Sequence, residues 1–190
     1  MPKKTIGHLH WLNTQDSAAV VHYEQTLYAD FLPILQRNPL IRDLWDWDDD
    51  HHRLRTRVPY ASQKVALLSE PETGTINFAT GVNVQLDHHW QSGTYGFPQP
   101  ESTAGVCEFL IMAGRGKSLL NGIAIYGRYA EEFLFPELVE HGFHTAYSTT
   151  GDHLLKLYRW CGAERVDERF VKGHRRTLLR WRLDRESRRF

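Results

Sequence analysis

Residues 145–183 read TAYSTTGDHLLKLYRWCGAERVDERFVKGHRRTLLRWRL, the most informative run in the chain. A short β-like run, Thr145 to Thr149, leads into Gly151-Asp152, where an aspartate side chain can accept from the free N–H groups of a helix's first turn. Leu154, Leu157, Tyr158 and Cys161 then recur at helical spacing, and Gly162 stands where a left-handed C-terminal cap is wanted. Two strand-like runs follow, Arg165 to Val171 and Arg175 to Leu183, with Leu179, Trp181 and Leu183 alternating against Arg180 and Arg182. Lys172-Gly173 joins them, so the spacing predicts a strand, a short helix and a hairpin.

Upstream, Thr5 to Leu12 alternates as a first strand. Thr14-Gln15-Asp16 offers N-caps for a helix carrying Val20, Tyr23, Leu27, Phe31 and Ile34, bent or ended near Pro33. A second, shorter helix is predicted after Pro39, with Ile41, Leu44, Trp45 and Trp47 as its apolar positions. Asp46 to His52 is too polar for a core and reads as a mobile, solvent-facing connection. Lys64 to Glu70 and Thr75 to Leu86 form a predicted hairpin around Pro71-Glu72-Thr73-Gly74. The Gly-, Pro- and Ser-rich stretch 88–105 is a long loop, and Trp90, Tyr95 and Phe97 give it apolar anchors, which suits a lid over a cleft, with a passive insertion as the alternative. Val106 to Met112 is a strong β run. Leu119 to His141 then carries a long helical pattern that Pro136 should kink.

A chain of 190 residues with 41% hydrophobic and 24% charged residues suits one soluble domain, here taken as 1–190. Basic and acidic residues balance at 23 each, which leaves no net field for nucleic acid or an anionic membrane. The basic residues crowd the C-terminus, where 184–190 reads as a solvated basic tail. Two cysteines, Cys107 and Cys161, form no paired motif, and the chain is expected to keep them reduced in the cytoplasm. No apolar run reaches the ~20 residues needed to span a bilayer, and no apolar signal region follows Met1-Pro2-Lys3-Lys4.

Several residues suggest chemistry. Arg115-Gly116-Lys117-Ser118 is a Gly-rich, basic turn between a strand and a helix, suited to a phosphate because helix-start N–H groups point outward there. A tight turn closing the strand is the alternative. Glu108 is a single carboxylate among apolar neighbours, and desolvation would raise its pKa toward that of a general base; pairing with Arg115 or Arg128 is the competing role. The histidines (His8 with His10, His51-His52, His88-His89, His141 with His144) lack metal-ligand spacing, and no metal is expected.

In Leu157-Tyr158-x-x-x-Gly162-Ala163 and the elements around it, the chain resembles the C-terminal half of the GCN5-related N-acetyltransferase (GNAT) superfamily. The resemblance implies an α/β domain with a mixed, mainly antiparallel sheet flanked by helices and split into a V-shaped cleft. It implies the pyrophosphate of an acyl-coenzyme A at Arg115, Gly116, Lys117 and Ser118, although Ser118 and Leu120 stand where the family has small glycine-like residues. It also implies backbone N–H groups near Ile111 and Met112 holding the thioester carbonyl, Glu108 deprotonating an amine, and Tyr158 protonating the departing thiolate, the last against a plain packing role for that ring. The order of Asp46 to Asp50, the hairpin, the 88–105 loop and Glu108 further resembles acyl-homoserine lactone synthases and long-chain N-acyl amino acid synthases. Leu110 and Ile111 replace their Ser-Arg.

The expected activity is transfer of an acyl group from acyl-coenzyme A, acetyl-coenzyme A included, or from acyl carrier protein to the primary amine of a small molecule or peptide. The alternative is a catalytically degenerate GNAT-fold protein with a structural or binding role in a larger assembly.

Overall fold

Asp16 starts the first helix as a side-chain cap, its Oδ1 accepting from the N–H groups of Ala18 at 3.0 Å and Ala19 at 3.2 Å. The computed structural model describes residues 7–36, 38–114 and 126–184. Strand β1 (His8–Trp11) precedes helix α1 (Ser17–Leu35), which carries Pro33 in its last turn and ends just after it. Helix α2 (Leu40–Leu44) is a single turn. The predicted helical use of Trp45 and Trp47 gives way to a strand, β2 (Trp45–Asp48), paired antiparallel with β3 (Arg53–Thr56) in register Trp45↔Thr56 to Asp48↔Arg53. Trp-Asp-Trp-Asp has period 2, and the pleat buries Trp45 against Phe31, ring centroids 4.8 Å apart. The predicted polar connection is therefore a hairpin. Arg42 and the hydroxyl of Tyr28 both donate to Asp49, and His51 bonds Asp48.

The remaining strands are β4 (Gln63–Ser69), β5 (Ile76–Asn83), β6 (Val106–Gly114), β7 (Thr145–Thr150), β8 (Glu164–Val171) and β9 (His174–Arg182). Together with β1 they form a seven-stranded sheet in the order β1-β4-β5-β6-β7-β9-β8. It is mainly antiparallel, with β6 and β7 parallel. By its contacts the chain divides into two compact units, residues 1–82 with 111–126 and residues 83–110 with 127–190, so β6 contributes to both.

In the first unit Tyr23, Leu27 and Phe31 of α1 are buried with Leu54 of β3. Glu24 on the same helix is 1% exposed, and it stays soluble in this core by accepting from Arg53 Nε at 2.6 Å and from the Tyr60 hydroxyl at 2.8 Å. An unpaired carboxylate could not be held there.

In the second unit the 88–105 loop contains one 3₁₀ turn, Gln91–Tyr95, ended by Gly96 at φ 79°. The helical stretch before β7 is described from Tyr126. It widens to π geometry over Tyr129–Leu134 and returns to α as α3 (Phe135–Glu140). Pro136 offers no N–H and its ring crowds the carbonyl four residues back, so the turn before it opens. Helix α4 (Asp152–Trp160) starts from Gly151 without a side-chain cap. The expected capping by Asp152 is replaced by an ion pair, since its carboxylate accepts from Arg175 Nε at 2.6 Å. The C-terminus closes as expected. Gly162 sits at φ 91°, with Ala163 N–H bonded to Tyr158 O and Gly162 N–H to Arg159 O. Lys172 and Gly173, at φ 49° and 79°, form the tight turn of the β8–β9 hairpin.

Candidate active site

β6 and β7 run side by side only from Val106↔Thr145 to Glu108↔Tyr147, yet β6 continues to Gly114 and β7 to Thr150. Within the second unit, then, the two parallel strands share no register beyond Glu108. Glu108 stands at that point.

Glu108 is fully buried. Its Oε1 accepts from the Ser92 N–H at 2.7 Å and the Ser92 hydroxyl at 2.6 Å, and its Oε2 from the Gln91 N–H at 2.9 Å and Asn83 Nδ2 at 3.4 Å. Burial pushes the carboxyl up from the ordinary range, and these donors pull against it. The carboxylate is partnered by the loop and by Asn83, and Arg128 pairs instead with Glu132; Arg115 lies outside the described residues. Asn83 also donates to His89 O, Gln91 Nε2 to Leu110 O and Trp90 Nε1 to Phe97 O. Three rings complete the anchoring: Trp90 lies edge-on to Tyr147, and the guanidinium groups of Arg169 and Arg176 stack over Phe97 and Tyr95.

Alternation along the strands sorts the remaining groups. Glu108 points to the loop, so Phe109 points to the opposite face, where it stacks on Phe135 and meets Trp181 edge-on at 5.9 Å. Tyr158 is on that second face, 6% exposed, its ring 5.4 Å from Trp181. Trp181 Nε1 donates to Ser148 Oγ at 2.8 Å, which places Ser148 there too, and leaves Tyr147 and Thr149 on the loop side. The candidate base and the candidate acid thus lie on opposite faces of the sheet.

Ile111 and Met112 belong to the first unit. Ile111 is buried beside Gly81, and Met112 Sδ accepts from the Tyr126 hydroxyl at 3.1 Å. Arg115, Gly116, Lys117 and Ser118 lie outside the described residues. Both cysteines are buried thiols, with Cys161 pushed up to about 12 by burial and by Glu131, and Cys107 pushed higher still by burial and by Glu108. Among the described residues no group of three His, Cys, Asp or Glu side chains is placed to hold a metal, and no helix is long and apolar enough to cross a membrane.

Sequence reasoning missed Ser92, Gln91, Asn83 and Arg176. Ser92 lies in a stretch without periodicity, and Arg176 sat within a run of arginines that reads as solvated. The alternation of β9 was the available signal, since it places Arg176 in line with buried Leu178.

No protein-family model and no curated protein sequence matches the chain. Solved structures do match. TofI, crystallised with an inhibitor and MTA, superposes with a TM-score of 0.67 at 13% identity, over 93% of this chain and 91% of that one. The AHL synthase LasI gives 0.65 at 14%, over 93% and 89%. BjaI, a CoA-dependent acyl-homoserine lactone synthase solved with SAM and isopentyl-CoA, gives 0.67 at 12%, over 94% and 84%. A structure assigned to the GNAT family from Desulfovibrio desulfuricans gives 0.51 at 12% and is covered over its whole length. At such identities the likeness is one of architecture, and it runs over 93–94% of the chain: this is a GNAT-like fold, in the form seen in the acyl-homoserine lactone synthases.

Proposed function

We propose that the chain transfers an acyl group from a thioester donor, acyl-coenzyme A or acyl carrier protein, to a primary amine. The observation that carries this reading is the placement of Glu108 and Tyr158 on opposite faces where β6 and β7 cease to pair. In this reading the donor lies on the Tyr158 side and the acceptor on the Glu108 side, with the reacting atoms held close.

In this reading the amine nitrogen attacks the thioester carbonyl carbon, the new C–N bond forms and the C–S bond breaks. The strand N–H groups near Ile111 and Met112 hold the carbonyl oxygen as it gains charge. The departing thiolate takes the Tyr158 proton. The amine proton passes to Ser92 Oγ as the Ser92 proton moves to Glu108, because Ser92 is the one hydroxyl among the donors on that carboxylate and can both give and accept. Arg115 to Ser118 would carry the pyrophosphate of a coenzyme A donor.

The test is release of free thiol from acetyl-, butyryl- and longer acyl-coenzyme A and from acylated carrier protein, with amines that include S-adenosylmethionine and amino acids. Amine-dependent thiol release supports the reading. Stabilisation by a thioester without turnover would favour a fold kept for binding in a larger assembly, a role to which the fully engaged Glu108 is also suited. Neither binding nor turnover with any thioester would overturn the proposal.

A further inference from the structure

Arg176 on β9 is 4% exposed, and among the described residues it has no carboxylate partner. Its five N–H groups make one hydrogen bond, from Nη2 to Thr149 Oγ1 at 3.2 Å, and buried Nε makes none. The Tyr95 ring covers the guanidinium face at 4.7 Å, which leaves the N–H donors in the edge plane. The second unit's ion-paired arginines, by contrast, keep about a third or more of the side chain exposed: Arg128 with Glu132, Arg165 with Glu168, Arg169 with Asp167, Arg175 with Asp152, and Arg180 and Arg182 with Glu164. Burial pulls Arg176 down from its ordinary value; Tyr95 and Tyr158 act in the other direction, and no carboxylate among the described residues offsets the rest.

Neutral residues would fill such a place at lower cost, and a buried cation with an unused planar fork suits a planar anion. Thr149 and Tyr95 both belong to the loop side of the sheet, the side to which Glu108 points. We propose that Arg176 is the counter-cation for a substrate carboxylate bound on that side. The inference rests on the acyl-transfer reading for the word substrate, and the carboxylate belongs either to the amine-bearing molecule or to the far end of the acyl chain. Arg176 is a binding and specificity residue in this scheme and takes no part in the bond changes.

The experiment measures ligand-induced thermal stabilisation of the full chain, wild type against Arg176→Met and Arg176→Lys, with paired probes. Methionine against 3-(methylthio)propylamine tests the acceptor, and succinyl- against butyryl-coenzyme A tests the acyl chain. In the wild type, one carboxylated probe should bind on the order of 10²-fold more tightly than its neutral partner. The preference should vanish in Arg176→Met and persist in part in Arg176→Lys. Equal binding within both pairs, no response to either carboxylated probe, or a preference that survives Arg176→Met overturns the proposal. In buffer alone, Arg176→Met removes a buried charge that has no carboxylate partner among the described residues, so its melting temperature should hold or rise. A fall of more than about 5 °C would make the guanidinium a structural element and overturn the proposal as well. The two readings fail separately. Turnover of neutral thioesters with neutral amines at full rate sinks the Arg176 assignment alone, whereas an Arg176-dependent response to methionine in a chain that binds no thioester sinks acyl transfer alone.

Discussion

Glu108→Gln changes one oxygen for an NH₂ group at the best-connected side chain of the site. The carboxamide oxygen can keep the two short contacts to Ser92, at 2.6 and 2.7 Å. Its NH₂ then faces the Gln91 N–H and Asn83 Nδ2, two donors for which it offers no acceptor. A backbone N–H stranded there costs roughly 1–3 kcal/mol, and losing charge assistance in the Ser92 contacts adds about 1 kcal/mol. The sum, about 3 kcal/mol, corresponds to a melting point lowered by roughly 6–12 °C in a chain of this size. Amide exchange supplies a local readout: the N–H groups of Gln91 and Ser92 should lose protection while the β8–β9 hairpin keeps it. The substitution also reports the charge state. Burial raises the folded-state pKa of Glu108, so its contribution to stability is fullest below the ordinary carboxylate range and is lost as pH rises through the folded value; Gln removes that slope. A Glu108→Gln protein that melts within a degree or two of wild type at neutral pH, with Gln91 and Ser92 still protected, would mean that a neutral carboxyl occupies the site. The reasoning from an ionised anchor would then be refuted.

Tyr158→Phe keeps the ring on Trp181, so stability should shift by no more than about 1 kcal/mol, while turnover should fall on the order of 10²-fold if the hydroxyl protonates the thiolate; steady-state kinetics beside a melt separates the two. Gly105→Ala should destabilise clearly, because Gly105 sits at φ 67° and an added Cβ would meet the His144 ring, and a melt unchanged from wild type would show that the strand entry can shift. Cys107 and Cys161 should resist thiol reagents at neutral pH until the chain is denatured, and rapid labelling of native protein would contradict their burial. Arg180 holds Glu164 below the usual carboxylate range; the small contribution of this largely exposed pair is present above that range and fades as pH falls through the folded pKa, so Glu164→Gln should flatten only the acid limb of the stability profile.

Local patterns in the chain were enough for the elements whose signals are local. Asp16 before an apolar 3.6-residue repeat, Gly162 after one, and Lys172-Gly173 between alternating runs each state a backbone requirement that neighbours in sequence meet by themselves. The same locality misled at Trp45 to Asp48, where helical and pleated spacings both fit a four-residue run and the pairing with β3 chose between them. It misled at Asp152 as well, whose carboxylate found an arginine 23 residues away in place of its own helix. The type of residue at Glu108 and Tyr158 was legible; their partners and the faces they occupy were not. Whether a carboxylate in a strand is a free base or an anchor depends on which loop covers it, and whether an arginine is solvated or buried depends on which ring closes over it. Those contacts join positions far apart in the chain, 16 residues for Ser92 and Glu108 and 27 for Arg176 and Thr149, and only the folded sheet brings them within reach of a hydrogen bond.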